Sequence, residues 1–207
     1  MRTLTITILF ILSLWQLGQG GYIYAKAQVA QWLMADAWQQ TLAGVSDVKP
    51  WDWADTWPVA RLKVPAHDID VLVLQGSSGR TLAFGPGHMA NTPLPGEGGN
   101  SVIGGHRDTH FRFLQNVKVG DILEVETADN QQLRYQVFAR SIVDHNDTEQ
   151  VLNQQGSEEL TLVTCYPFDA IAAGGPLRFV VEARRLSENG SSTEENPDLA
   201  IFRAFSS

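Results

Sequence analysis

Two patterns of apolar positions divide this chain. The first is continuous: no charged residue occurs from Thr3 to Ala25, and Ile6, Ile8, Leu9, Phe10, Ile11, Leu12, Leu14 and Trp15 crowd its first half. As a helix rising 1.5 Å per residue, that span reaches about 35 Å, enough to cross about 30 Å of bilayer hydrocarbon. Its apolar core alone has the length of a signal-peptide core, and Ala25-Lys26-Ala27 offers an A-x-A-like cleavage site. That site lies far from the end of the apolar core, so residues 1–25 are expected to remain as an uncleaved signal anchor. Arg2, ahead of the span, is positive-inside evidence for a cytoplasmic N-terminus and an exported remainder.

The second pattern is periodic. Ala27, Ala30, Gln31, Met34, Ala35, Trp38 and Leu42 lie among good helix formers and predict a helix leaving the membrane between Ala25 and Leu42. Val45 to Trp57 carries Trp51, Trp53 and Trp57 between Pro50 and Pro58, which suits neither helix nor strand. These rings are expected to bury against the neighbouring β structure, as plain core or as a lid over a cleft. Residues 26–56 therefore read as a helical, Trp-rich linker. From Val59 to Arg185 the period becomes two: Leu133, Tyr135 and Val137 alternate with Arg134 and Gln136, and Leu177, Phe179 and Val181 with Arg178 and Glu182. Strands are expected at 60–64, 71–75, 101–104, 122–127, 133–139, 160–165 and 177–184, with one helical or 3₁₀ turn at 111–117. Many short strands at close spacing make this an all-β barrel or sandwich. Residues 187–207 are polar, with Asn189-Gly190-Ser191-Ser192 and Glu194-Glu195-Asn196-Pro197, and read as a disordered tail.

Charge and cysteine content narrow the function. Fifteen basic against 23 acidic residues leave a net charge of −8, so a nucleic-acid backbone would be repelled. The chain has a single cysteine, Cys165, which excludes an intrachain disulfide and a thiolate-rich metal site. Cys165 ends the β-branched run Leu160-Thr161-Leu162-Val163-Thr164, and Pro167, unable to donate to a ladder, stops the strand just beyond it. A thiol delivered to a loop mouth suits a nucleophile; a small packed hydrophobe is the competing reading. Its chain neighbours Thr164 and Tyr166 are the candidates for substrate contact. Among the five histidines, His106 stands out because it follows Ser101-Val102-Ile103-Gly104-Gly105 at a strand end. Arg178 opens the strand after the cysteine, where a guanidinium can brace a carbonyl or an oxyanion. Asp108 is placed either to orient the His106 ring or to cap a turn.

Two other motifs fall short. His106 and His110 have the i, i+4 spacing of a helical zinc site, but Arg107 stands where the glutamate of H-E-x-x-H belongs, and Gly104-Gly105 argues against a helix. Pro95-Gly96-Glu97-Gly98-Gly99 lacks the Lys and Ser/Thr of a phosphate loop and reads as a turn.

The stretch Ser101-Val102-Ile103-Gly104-Gly105-His106-Arg107-Asp108, then Phe111, Leu114 and Gly120-Asp121, resembles the histidine motif of sortases. Leu160 to Cys165 resembles their TLxTC cysteine motif, and Arg178 falls where that family carries its catalytic arginine. The approaches Ala60 to Pro65, Leu82 to His88 and Pro95 to Asn100 match as well, so the resemblance runs from about Trp57 to Arg185. In detail the variants look most like sortases of Gram-negative, often marine, proteobacteria. The resemblance implies a closed eight-stranded β-barrel over 57–186 with short helices and 3₁₀ turns, and a cysteine transpeptidase that needs no cofactor. It implies that Cys165 attacks the threonyl carbonyl of an LPxTG-like C-terminal sorting signal on a secreted protein. His106 would serve as acid and base, Arg178 as oxyanion support, and an amine would accept the acyl group. The expected location is the cytoplasmic membrane, single pass, with the barrel on the periplasmic side. The rival readings are a peptidase that hydrolyses its own thioester, or an envelope binding module with an inert cysteine.

Overall fold

The computed structural model describes residues 2–147, 158–170 and 174–187. The uncharged span and the helix after it form one continuous helix, α1 (Arg2–Leu42). Its first half is apolar on every side and uncovered by the rest of the protein, with Leu4, Phe10, Trp15 and Ile23 all exposed. Its second half is one-sided. Ala30, Met34, Ala37, Trp38 and Thr41 recur at three- and four-residue spacing and are buried against the barrel. The helix ends at Gly44, whose φ of +94° is the left-handed conformation that glycine adopts without strain. Val45 N–H donates to Gln40 O and Gly44 N–H to Thr41 O, the paired closure of a Schellman motif.

Eight strands follow: β1 (Pro58–Val64), β2 (Ile69–Gln75), β3 (Gly87–His88), β4 (Asn100–Gly104), β5 (Ile122–Thr127), β6 (Gln132–Asp144), β7 (Glu159–Tyr166) and β8 (Leu177–Arg185). They close into a barrel in the order β1-β2-β3-β4-β7-β8-β6-β5, so no edge is left open. The pairs β2/β3 and β4/β7 are parallel and the rest antiparallel. A short helix α2 (Gly79–Leu82) and 3₁₀ turns at Pro65–His67 and Arg112–Asn116 fill the connections. The second 3₁₀ turn lies within the expected 111–117 segment.

Inward positions of each strand make the core, with Leu62, Val64, Val73, Ile103, Leu123, Val125, Leu160, Leu162 and Val181 fully buried. Phe111, Phe113, Leu114 and Val117 close one end, the first two rings meeting edge to face. Two strands depart from the sequence reading. β3 is only two residues long, too short for any alternation to register. β6 runs on to Asp144 because a register shift between Val137 and Ala139 lets its second half pair with β8 as far as Leu177, although Arg140 and Ser141 break the apolar pattern.

The tryptophan segment also differs from expectation. Trp57 packs on the core and Trp51 meets Phe84 edge to face at 5.1 Å, but Trp53 is 84% exposed and does not bury. The segment is held by backbone links to β2, with Thr56 Oγ1 donating to Gln75 O and Gln75 N–H donating to Trp57 O. It lies along α1 and α2, where Trp51 and Trp53 border a groove of about 740 Å³ with Ile23, Lys26 and Arg80. The polar tail beyond Ser187 falls outside the described residues.

His88, on the two-residue strand, fastens the β3–β4 connection. Its ring is buried, with Nε2 donating to Pro93 O at 3.0 Å and lying 3.2 Å from Thr92 Oγ1. Nδ1 is buried with no partner among the described residues, so a second proton there would have no acceptor. Burial pushes this imidazole below its ordinary pKa, the Pro93 bond offsetting only part of the effect. The unfolded chain therefore takes up the proton first, and stability falls as pH drops below about 6.5 toward the depressed folded value. Thermal melts between pH 8 and pH 5 should show this loss, and His88→Gln should remove part of it.

Candidate active site

β7 carries the thiol, and its two neighbours determine what surrounds it. Leu160, Leu162 and Thr164 point inward, so Val163 and Cys165 lie on the outer face of the barrel wall. On the β8 side the antiparallel register sets Cys165 opposite Arg178 and Val163 opposite Val180. Directly opposed residues share a face, with Cβ atoms about 4.5–5.5 Å apart. Sulfur and guanidinium thus leave the wall on the same side. From β6, Val143 stands opposite Arg178 and Ser141 opposite Val180, continuing that face.

On the other side β4 runs parallel to β7, with Gly104 beside Val163 at the end of the ladder. The chains stay joined for one more residue. Gly105 N–H donates to Val163 O at 3.0 Å, and Thr164 Oγ1 donates to Gly105 O at 2.7 Å. His106 is the next residue, beside the end of β7 and exposed, while Cys165 is partly exposed. The chain then turns back, Phe111 N–H donating to His106 O at 3.0 Å. Gly105 is essential to this turn: a Cβ there would lie 2.7 Å from the fully buried Phe111 ring.

Cys165 and Arg178 therefore share one face of the wall, and His106 opens the turn just past the adjoining ladder. The residues named to assist them are placed differently. Thr164 is 2% exposed and its hydroxyl is bound to Gly105, so its side chain braces the His106 turn and offers a substrate no surface. Tyr166 stacks on Phe179 and meets Phe168 edge to face, joining an aromatic cluster against the core on the side of β7 away from the thiol. The carboxylate of Asp108 accepts from Arg107 Nε at 3.0 Å, with no hydrogen bond to the His106 ring among the described residues. The alternation of β7 could have revealed the first two placements; the third depends on a loop.

The guanidinium of Arg178 is partly engaged, Nη1 donating to Gly175 O at 2.7 Å and Leu177 O at 2.9 Å. Among the described residues Nη2 and Nε hold no hydrogen bond and remain as donors. His110 is half-buried, and its imidazole is held below its ordinary pKa by burial and then by the neighbouring His106. It borders a cavity of about 230 Å³ with Trp38, Arg61 and Asp70, a wall position rather than a partner of His106 in a metal pair. No cluster of three or more potential metal ligands gathers among the described residues.

A thiol near a strand end, an arginine across the ladder and a histidine two residues past the adjoining strand thus lie at one end of a closed eight-stranded barrel. The chain matches the sortase domain over residues 62–186 and belongs to the sortase family. It is 32% identical over 126 residues to Sortase D of Bacillus subtilis, a match covering 61% of this chain and 63% of that relative. Among solved structures, sortase A of Corynebacterium diphtheriae is similar with a TM-score of 0.59 and 28% identity, over 72% of this chain and 70% of the other. Sortase C-1 of Actinomyces oris gives 0.56 and 31%, over 63% and 75%. The fold is also that of a Clostridium perfringens Sortase D5 transpeptidase, with a TM-score of 0.61, 24% identity and coverage of 77% and 99%.

Because the Phe111 ring has nowhere to move, Gly105→Ala should cost about 1–3 kcal/mol as an overpacking change. A lowered urea midpoint with unchanged slope checks this, and turnover should fall with it because the same residue seats His106.

Proposed function

We propose that this protein is a membrane-anchored cysteine transpeptidase acting on secreted proteins that end in an LPxTG-like sorting signal. The observation that carries the reading is the pairing of Cys165 with Arg178 across β7 and β8, with His106 one residue past the last β4–β7 bond. The thiolate of Cys165 attacks the threonyl carbonyl carbon, and the electron pair of the C=O bond moves onto oxygen. The free Nη2 and Nε donors of Arg178 face that developing charge. Collapse breaks the C–N bond, His106 gives its proton to the leaving amine, and a thioester forms on Cys165. An incoming amine then attacks the thioester carbonyl, His106 takes its proton, and the C–S bond breaks to release an amide and the thiolate. Val163 and Val143, both partly exposed, give the same face an apolar surface suited to a substrate segment bearing Leu and Pro.

The uncovered, uncharged first half of α1 supports a single membrane crossing, with the barrel held outside the cytoplasmic membrane. The full-length protein should stay with membranes through alkaline carbonate extraction. Recovery in the soluble fraction overturns the anchor.

Activity is tested with an LPxTG-like peptide and a primary amine. Mass spectrometry should find the acyl group on Cys165 and the peptide–amine product. Cys165→Ala should abolish both while leaving the barrel folded, and His106→Ala or Arg178→Ala should each cut turnover by about 10²–10³. Near-wild-type turnover in any of the three rejects the role given to that residue, and a product formed with water alone makes the enzyme a peptidase.

A further inference from the structure

We propose that Arg107 is a positioning residue that fastens the segment following Cys165 to the turn carrying His106, so that thiol and imidazole keep their working separation. The proposal rests on the acyl-transfer reading of this site.

The ladder between β4 and β7 ends at Gly104, and two bonds from Gly105 extend it by one residue. Pro167 has no N–H, so the chain after Cys165 cannot prolong a ladder on its own. Arg107 takes over at this point. It is only 6% exposed, and its fork reaches across 60 residues of sequence. Nη1 donates to Pro167 O at 2.6 Å and Nη2 to Ala170 O at 2.8 Å, two and five residues beyond the thiol. Nε donates to Asp108 Oδ1 at 3.0 Å, which fixes the plane of the fork. Every nitrogen of the guanidinium is thus committed, and the geometry uses its planarity: an ammonium is a point donor and cannot span two carbonyls and a carboxylate together.

Charge adds to shape. The Asp108 carboxylate, accepting from Nε, holds the Arg107 guanidinium above its ordinary pKa against the opposing effect of burial. A cation of fixed orientation thus stands one residue from His106 and within electrostatic reach of Cys165, where its loss slows the reaction of the sulfur with an alkylating reagent. The departure from the zinc motif therefore has a use: the residue between His106 and Asp108 is the cross-link of the site.

The test compares wild type, Arg107→Met and Arg107→Lys in the full-length protein in detergent. Three quantities are read: the melting temperature, the rate of Cys165 alkylation by iodoacetamide at one pH, and kcat and KM for the sorting peptide. Arg107→Met should slow alkylation several-fold and lower kcat about a hundredfold, the scale expected of roughly 1 Å of misplacement, with KM within a factor of two. Arg107→Lys keeps the charge but not the fork, so alkylation should stay near wild type while kcat remains low. Wild-type kcat in Arg107→Met overturns the proposal, as does a loss of kcat matched by an equal loss of folded protein in both variants. Should the wild type turn over no peptide, the acyl-transfer reading fails by itself; equal alkylation rates in wild type and Arg107→Met then overturn the role of Arg107 separately.

Discussion

The hydrogen bonding of β7 on both of its edges is the constraint from which the rest of the site follows. An antiparallel partner on one side sets residue against residue, so Arg178 has no freedom to stand elsewhere than across from Cys165. A parallel partner on the other side brings the end of β4 level with the end of β7, so the residue that follows is delivered beside the thiol. Closure of the barrel holds both registers at once. A slip of one residue in either would turn the thiol into the packed interior and the Leu162 row out to solvent, at a cost of several buried apolar side chains.

The same alternation separates chemistry from stability. Inward residues of β7 and β8, from Leu160 to Thr164 and from Phe179 to Ala183, belong to the core or seal its end, while Cys165, Arg178 and Val180 belong to the outer face. Thr164 links the two roles, a buried residue whose hydroxyl steadies the turn from which His106 projects. Toward the far end of these strands Arg185 grips both oxygens of Glu158 and Arg184 reaches Glu159. At the near end the Arg178 guanidinium donates to the carbonyls of Gly175 and Leu177, and its charge adds to the Asn146 N–H bond in holding the Asp144 carboxyl below its ordinary pKa.

Much of this was legible in the chain because barrel strands half-face a core. The alternation in Ile122 to Thr127 marked β5 at its observed bounds, and the runs ending in Cys165 and opening at Leu177 located β7 and β8 to within a residue. β3 escaped because two residues carry no period, and the far half of β6 because its pairing depends on a bulge that no local pattern announces. Trp53 misled for a different reason: hydrophobicity predicts that a ring gains from burial, not that a surface is available to receive it. Tyr166 and Thr164 were judged by nearness to the thiol along the chain, whereas in a strand adjacent residues face opposite ways. Asp108 and Arg107 sit in a turn, where direction is decided by the groups that the turn meets.

By itself, the sequence determined the long apolar helix, the all-β body, the sole thiol, and the family motifs holding His106, Cys165 and Arg178. These are properties of local pattern and residue type, which survive in any arrangement of the chain. Only the tertiary structure decided that Cys165 and Arg178 share the outer face of the barrel wall, that Tyr166 and Thr164 belong to the packing behind it, and that Arg107 rather than Asp108 reaches across to the segment after Cys165. The hydrogen bonds among those choices depend on carbonyls 59 to 63 residues distant in sequence, and a side chain cannot select a partner until the closed barrel has brought that partner within hydrogen-bonding range.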